Sequence, residues 1–228
     1  RGQWPIMWTM ASRRHIAILH SGGPRSLTAT ARVLNQPEPV RLTLIHVHDG
    51  QPAGPPRLEY LRRQADHYTL TTLREIELPD LYRDPAHHHP DGRPHAPLAT
   101  PRLLTAAMAT ATEIGADELH WPIAVNGELE ATATAQEQQM LIQQLAELES
   151  PAGSVGSAGP KLVTPLLGYT DVQVVELGTG LGVPWELAWS CVLGKLEQCG
   201  SCPACQRRRA AFRAAGVIDP VFAPAGVR

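Results

Sequence analysis

The sequence predicts an α/β fold, a parallel sheet with helices on both faces that ends in a C-terminal four-cysteine knuckle. Two observations carry this expectation. Apolar runs of strand length alternate with helical periods along the chain, the order that a parallel sheet needs because each strand must be returned by a crossover. All four cysteines then fall within 15 positions near the C-terminus, a spacing suited to one metal ion.

The elements follow in order. His15 to His20 (HIAILH) is an apolar strand that runs into Ser21-Gly22-Gly23-Pro24-Arg25-Ser26. Leu27, Ala31 and Leu34 then recur at helical spacing, giving strand, glycine turn, helix. Arg41 to Asp49 reads as a second strand, Pro55 to Leu70 as a helix entered through two prolines, and Leu73 to Leu78 as a third strand. Pro79 to Pro101, rich in Pro and His, shows no period and predicts a long loop. Arg102 to Gly115 predicts a helix, Leu119 to Val125 a fourth strand, and Ala135 to Leu148 an amphipathic helix. Pro151 to Pro160 (PAGSVGSAGP) predicts a flexible connection. Lys161 to Val163 predicts a last strand, Val172 to Leu181 a helix closing at Gly182, and Gln206 to Ala215 a basic helix.

Composition narrows the function classes. With 228 residues, 43% of them hydrophobic, the chain fits one soluble globular domain. The net charge of -2, from 20 basic and 22 acidic residues, gives no general drive toward nucleic acid or membrane, so any polyanion must meet a local site. No apolar run approaches the ~20 residues of a membrane span, and the N-terminus lacks the apolar stretch of a secretory signal. A cytoplasmic location is expected. The chain begins with Arg1, so an upstream piece, or a natural start at Met7 or Met10, is also expected.

The cysteines Cys191, Cys199, Cys202 and Cys205 are spaced C-x7-C-x2-C-x2-C. Zinc takes four thiolates at tetrahedral corners, and short C-x2-C turns deliver two to one ion; a shell closed by four protein ligands is structural. An iron–sulfur cluster also takes four cysteines, while disulfides suit a reducing compartment poorly. Structural Zn2+ is the favoured reading.

The turn at Ser21, Gly22, Gly23, Arg25 and Ser26 hands a strand to a helix. Outward amides and the helix dipole there receive phosphate well, and Arg25 would add a full charge. The same residues also make an ordinary strand–helix turn. Arg207, Arg208 and Arg209 could grip phosphate or form a solvated helix face. His87, His88, His89 and His95 invite a metal, though a loop rich in proline suits solvated imidazoles better. His46, His48 and Asp49 lie at a strand end, where ligands bind in open parallel sheets, or they simply fill it. Trp185 and Trp189 could stack on a purine-like ring or pack in the core. No catalytic residue emerges.

The stretch from Gly182 to Pro220 resembles the C-terminal signature of 7-cyano-7-deazaguanine synthases, the QueC family within the PP-loop ATP pyrophosphatase superfamily. The matching residues are Trp189, Ser190, Cys191, Cys199, Gly200, Cys202, Cys205, Arg208, Gly216, Asp219 and Pro220. The turn at Ser21 to Ser26 matches that family's pyrophosphate loop in chain order and distance. The resemblance implies an adenine-nucleotide alpha-hydrolase-like, Rossmann-like fold in a single domain over 1–228, with the nucleotide-binding-type sheet in 14–185 and the knuckle and C-terminal helix in 186–228. It implies a carbon–nitrogen ligase that uses ATP and Mg2+ to adenylate a 7-deazaguanine-type carboxylate for queuosine biosynthesis, with ammonia then giving an amide and a nitrile. Arg102, Asn126 and Trp189 are the implied substrate residues. Partners are small molecules, a homodimer is compatible, and neither membrane nor nucleic acid is expected.

Departures from the family pattern are specific. Its turn reads SGGxDS, and the Asp is Arg25 here; a family Lys aligns with Asp171, and Gln173 takes an acidic place. The Val-Pro-Gly-Arg-Asn stretch is reduced to Ala99-Thr100-Pro101-Arg102. Ala131 to Glu137 replaces a Ser-Gly-Tyr-Pro-Asp-Cys-Arg substrate segment, and only Val125 and Asn126 survive from the Gly-Val-Asn before it. An Arg25–Asp171 ion pair would restore neutrality at the cost of an ATP site. Two alternatives follow: a catalytically inactive binding or regulatory subunit, or an enzyme that attaches a deazaguanine to a macromolecule.

Overall fold

Five short strands build one sheet, all neighbours parallel, in the order β3-β2-β1-β4-β5. The computed structural model describes residues 13–79, 81, 98–148 and 159–223. The strands are β1 (His15–Leu19), β2 (Arg41–His48), β3 (Leu73–Glu77), β4 (Glu118–His120) and β5 (Lys161–Val163). The helices are α1 (Pro24–Leu34), α2 (Gly54–His67), α3 (Ala99–Glu113), α4 (Leu129–Leu148), α5 (Asp171–Gly180) and α6 (Pro203–Ala214), with a 3-10 turn at Trp185–Leu187. No described helix is long and apolar enough to cross a membrane.

Alternation along β1 divides the core. Ala17 and Leu19 point to one face with Ile45, Val47 and Leu119, covered by α3 and α4. Ile16 and Ile18 point to the other with Leu42 and Leu44, covered by Val33 of α1 and Leu61 and Ala65 of α2. The period-2 geometry of a strand buried on both faces dictates this split. Leu27 and Ala31 of α1 pack with Val175 of α5 and with Ala211 and Phe212 of α6, which seats the C-terminal segment on the first helix.

Five predicted elements differ in extent by three residues or more, among them the helix expected over Pro55 to Leu70, which runs Gly54–His67, and the helix expected from Gln206, which starts at Pro203. The fourth strand ends at His120; 121–125 leave the sheet, Trp121 and Pro122 to border the site and Ile123, Ala124 and Val125 to pack in the core. The helix expected from Ala135 starts at Leu129 and so includes Ala131 to Glu137. Its glutamines explain its polar composition: Gln139 Nε2 donates to the Leu162 carbonyl at 2.8 Å, and the Leu162 N–H donates to Gln143 Oε1 at 2.8 Å. These side chains take up hydrogen-bonding groups that edge strand β5 would otherwise leave open. The helix expected from Arg102 begins at Ala99. His87, His88, His89 and His95, most of the Pro79–Pro101 loop and most of the Pro151–Pro160 connection lie outside the described residues.

Candidate functional site

The neighbour order places a topological switch between β1 and β4, since β1 is followed by β2 on one side and joined by β4 on the other. Ligands of open α/β sheets bind in the crevice beyond the carboxyl ends of such strands. A cleft of about 420 Å3 lies there. Its walls come from the β1–α1 turn, the end of β2 with the loop after it, Trp121 and Pro122 after β4, Asp171 of α5, and the segment running from Trp189 into α6.

The turn is held from below. Gly22 has φ +74°, and a Cβ there would sit 2.5 Å from the Arg57 carbonyl, so only glycine fits. The Gly22 carbonyl accepts from Trp189 N–H at 2.9 Å and from Gln64 Nε2 at 3.0 Å. Gly23 precedes α1, Pro24 occupies its start, and no side chain caps it, so the first-turn amides and the helix dipole remain available to an anion. Ser26 Oγ is occupied by the Gly23 carbonyl at 3.1 Å, whereas Ser21 is exposed.

Arg25 meets Asp171, as the paired charge reversal predicts. Its Nη2 and Nε donate to Asp171 Oδ1 at 2.7 and 3.1 Å. Asn126, at φ 56°, donates from Nδ2 to Asp171 Oδ2 at 3.2 Å and accepts the Asp171 N–H at Oδ1, 2.6 Å away. Three loops at the carboxyl end of the sheet are thereby joined. Asp171 also gains from the positive end of α5, whose start is fixed by the reciprocal Thr170–Gln173 capping box.

Two histidines line the inner wall. Burial pushes His20 down to about 3, with the neighbouring His46 adding to the effect. Burial also lowers His46. The Gly22 N–H donates to His20 Nδ1 at 3.1 Å, so the ring hydrogen sits on Nε2. His46 Nδ1 lies 3.0 Å from the His20 carbonyl and is the donor there, leaving Nε2 as an acceptor. Neither Nε2 has a hydrogen-bond partner among the described residues. His48 turns away, to Glu75 at 2.7 Å.

The candidate metal centre borders the same cleft. The Sγ atoms of Cys191, Cys199, Cys202 and Cys205 all lie within 4.8 Å of one another, and Cys199 and Cys205 are 3.9 Å apart. Tetrahedral zinc with ~2.3 Å bonds needs sulfurs about 3.8 Å apart, so the set fits. The Cys202 N–H, with help from Ser201, lowers the Cys199 thiol to about 6, whereas burial raises Cys205. Four close thiols can hold a metal, which would tie the 191–205 segment together. Mg2+ is a different case. Its ligands are oxygens, chiefly carboxylates and phosphates, and among the described residues the two carboxylates of the cleft wall are both engaged by arginine: Asp171 by Arg25, and Asp49 by Arg57 at 3.6 Å. The protein side of this cleft does not fit that ion.

The three consecutive arginines divide their roles. Arg207 lines the cleft. Arg208 is buried, gripping Asp219 through Nε at 2.8 Å and Nη2 at 2.9 Å, and the carbonyls of Ala188 and Trp185 at 2.5 and 2.7 Å. Arg209 lies over Phe222. Trp185 packs edge-on against Phe212 in the core. Trp189 both lines the cleft and packs at 4.9 Å on Tyr60, its Nε1 donating to the Cys191 carbonyl at 2.8 Å. Arg102 is exposed at the start of α3 and lies outside the cleft lining, to which its neighbour Leu103 contributes. Sequence reasoning missed Gln64, which ties Gly22 to Leu187 (2.6 Å). The signal was a glutamine inside the apolar Leu61, Ala65 stripe of α2. It also missed Arg57, and it read His20 only as the end of a strand.

Comparison with known proteins adds to this geometry. The family model described as queuosine biosynthesis protein QueC matches residues 96–216, more than half of the chain. A 7-cyano-7-deazaguanine synthase from Chlorobium luteolum is 28% identical over 219 residues, covering 90% of this chain and 94% of that protein. One from Methanothermobacter thermautotrophicus is 28% identical over 229 residues, covering 91% and 97%. A third, from Methanothrix thermoacetophila, is 36% identical over 118 residues, 52% of this chain and 51% of the relative.

Proposed function

We infer the function from its family: the chain belongs to the QueC family of queuosine biosynthesis proteins, and its cleft serves ATP-dependent synthase chemistry on a 7-deazaguanine-type carboxylate. The observation that carries this reading is one cleft of nucleotide-sized volume that joins an uncapped glycine turn at the switch point to the four-cysteine segment. A carboxylate oxygen is a poor leaving group. Attack of that oxygen on the α-phosphorus of ATP releases pyrophosphate and leaves an acyl-adenylate, from which ammonia displaces AMP to give an amide. A second ATP adenylates the amide oxygen with release of pyrophosphate, and departure of AMP with loss of the two protons on nitrogen gives a nitrile. Ser21, Gly22, Gly23, Arg25 and Ser26 receive phosphate, and the turn's fixed amides favour charge that develops on the departing group. Trp189 offers an aromatic wall and Asn126 orients Asp171 at the rim; Arg102, exposed beside the lining residue Leu103, stands as a rim cation. Zn2+ on the four cysteines is structural, and ATP is the consumed cosubstrate.

The Arg25–Asp171 pair favours a second reading, a nucleotide-binding or regulatory subunit without turnover, because it occupies the charge that an incoming phosphate needs. The assay that separates them incubates purified protein with ATP, Mg2+, ammonium and the deazaguanine acid. Release of AMP and pyrophosphate, dependent on the acid, is the expected result. Nucleotide binding without release would replace it by the binding reading, and the absence of both would remove the nucleotide site.

A further inference from the structure

We propose that this cleft takes the diphosphate part of its ligand without a divalent cation, Arg25 leaving Asp171 to carry the phosphate charge instead. The inference rests on the cleft being a phosphate site, as argued above, and adds what neutralises the ligand there. A protein-held Mg2+ needs free carboxylate oxygens. Among the described residues the cleft wall offers only the carboxylates of Asp49 and Asp171, and an arginine lies against each. A cation would have to compete with a guanidinium group for either carboxylate.

Arg25 is well placed to do the same work. It belongs to the first turn of α1, beside the uncapped amides and the exposed Ser21. Its side chain keeps 37% of its exposure and that of Asp171 24%, so the pair sits at the rim, where it can part. Guanidinium matches two phosphate oxygens at once, which a carboxylate partner already shows it can do for one acceptor here. Asp171 is not left bare when Arg25 moves: Asn126 still donates to Oδ2, and the α5 amides and dipole remain beneath it. A second observation points to a ligand in the same cleft. His20 is only 1% exposed, lines the cleft and carries its hydrogen on an Nε2 that has no acceptor among the described residues. A neutral donor waiting for an acceptor suits an anionic oxygen.

Asp171 then acts as a built-in competitor that excludes ligands too weakly charged to displace it. Exposed ion pairs of this kind carry modest free energies, so removing its charge should tighten anion binding by about two- to fivefold. Removing the charged donor should weaken binding on the order of tenfold or more. Inorganic pyrophosphate is the probe, titrated calorimetrically into the full chain in divalent-free buffer and again with excess Mg2+. The expected result is binding at least as tight without Mg2+, tightened in Asp171→Asn, weakened in Arg25→Ala and partly restored in Arg25→Lys, with circular dichroism verifying the fold of each. Binding that appears only with Mg2+, no binding in either buffer, or an Asp171→Asn affinity equal to or below that of the parent chain would each overturn the proposal. The two ideas fail separately. Turnover of ATP with Mg2+-dependent pyrophosphate binding leaves the enzyme reading and removes this one; Mg2+-free binding without turnover does the reverse.

Discussion

His20 and His46 put neutral imidazoles where the strands end, and their burial has a consequence for acid stability. In the folded chain both stay uncharged, His20 being pushed down to about 3 and His46 lowered by the same loss of water. Unfolding returns each ring to the ordinary value near 6.5. Between that value and the depressed folded one, the unfolded chain binds the extra proton, so stability falls as pH drops below about 6.5. The slope reaches ~1.4 kcal/mol per pH unit for each fully titrating ring. His20→Asn keeps an acceptor for the Gly22 N–H and removes the titration. Urea unfolding of this variant should show a flatter acid limb between about pH 6.5 and 4.5 than the parent chain; an unchanged slope would place the acid sensitivity elsewhere.

At the scale of elements, the loops around the cleft are set by glycines that other segments press against. Gly194, in the cysteine-bearing segment, has φ +61°, and a Cβ there would fall 2.1 Å from the Pro52 carbonyl in the loop that enters α2. Gly50 stands in the same relation to Pro79. The β2–α2 loop, with Asp49 and Gln51 in the cleft wall, is thus gripped from both sides. Gly194→Ala should destabilise by about 1–3 kcal/mol from left-handed strain and also displace this loop, weakening anion binding. Gly115→Ala, equally strained at φ +63° but with nothing within 4 Å of its Cβ, is the control that should lose stability without losing binding. Calorimetric titration alongside urea unfolding distinguishes the two. The alternation of strand and helix was legible because β1, β2 and the first two helices carry uninterrupted apolar periods. The end of β4 was not, because 121–125 are as apolar as a strand but serve the cleft wall at Trp121 and Pro122 and core packing at 123–125. The start of α4 was missed because Leu129, Ala131 and Ala133 carry no cap signal. Within the site, the cysteines and the turn are local in sequence and readable, and paired substitutions disclosed Arg25 with Asp171. Gln64, the Arg57 carbonyl under Gly22 and the clamped glycines act across 29 residues or more, through contacts that no spacing encodes.

Across the whole molecule, the four-cysteine site and the glycine turn form one connected structure. Cys205 lies in the first turn of α6, and Arg208 one turn later binds the Ala188 and Trp185 carbonyls and Asp219. Gln198 donates to the Ala188 carbonyl and accepts the Ser190 N–H, closing the loop ahead of Cys199. Trp189, two residues before Cys191, donates its backbone N–H to the Gly22 carbonyl and stacks on Tyr60. Metal loss would release four thiols, two of them fully buried, and loosen Trp189 from the turn. The sheet's own core, around β1, β2 and α1 to α4, makes no use of the cysteines. Stripping the metal with a chelator should therefore keep most of the far-ultraviolet dichroism, shift tryptophan emission to the red, and abolish pyrophosphate binding. Structural metal sites contribute folding free energy directly; a loss of ~3 kcal/mol would lower Tm by roughly 6–12 °C in a chain of this size. Cys202→Ser should reproduce the effect without chelator, and readdition of Zn2+ should rescue the stripped chain but not the variant. A stripped protein that binds pyrophosphate as before would separate the two sites, leaving Trp189 and Gln64 to hold the turn through packing alone.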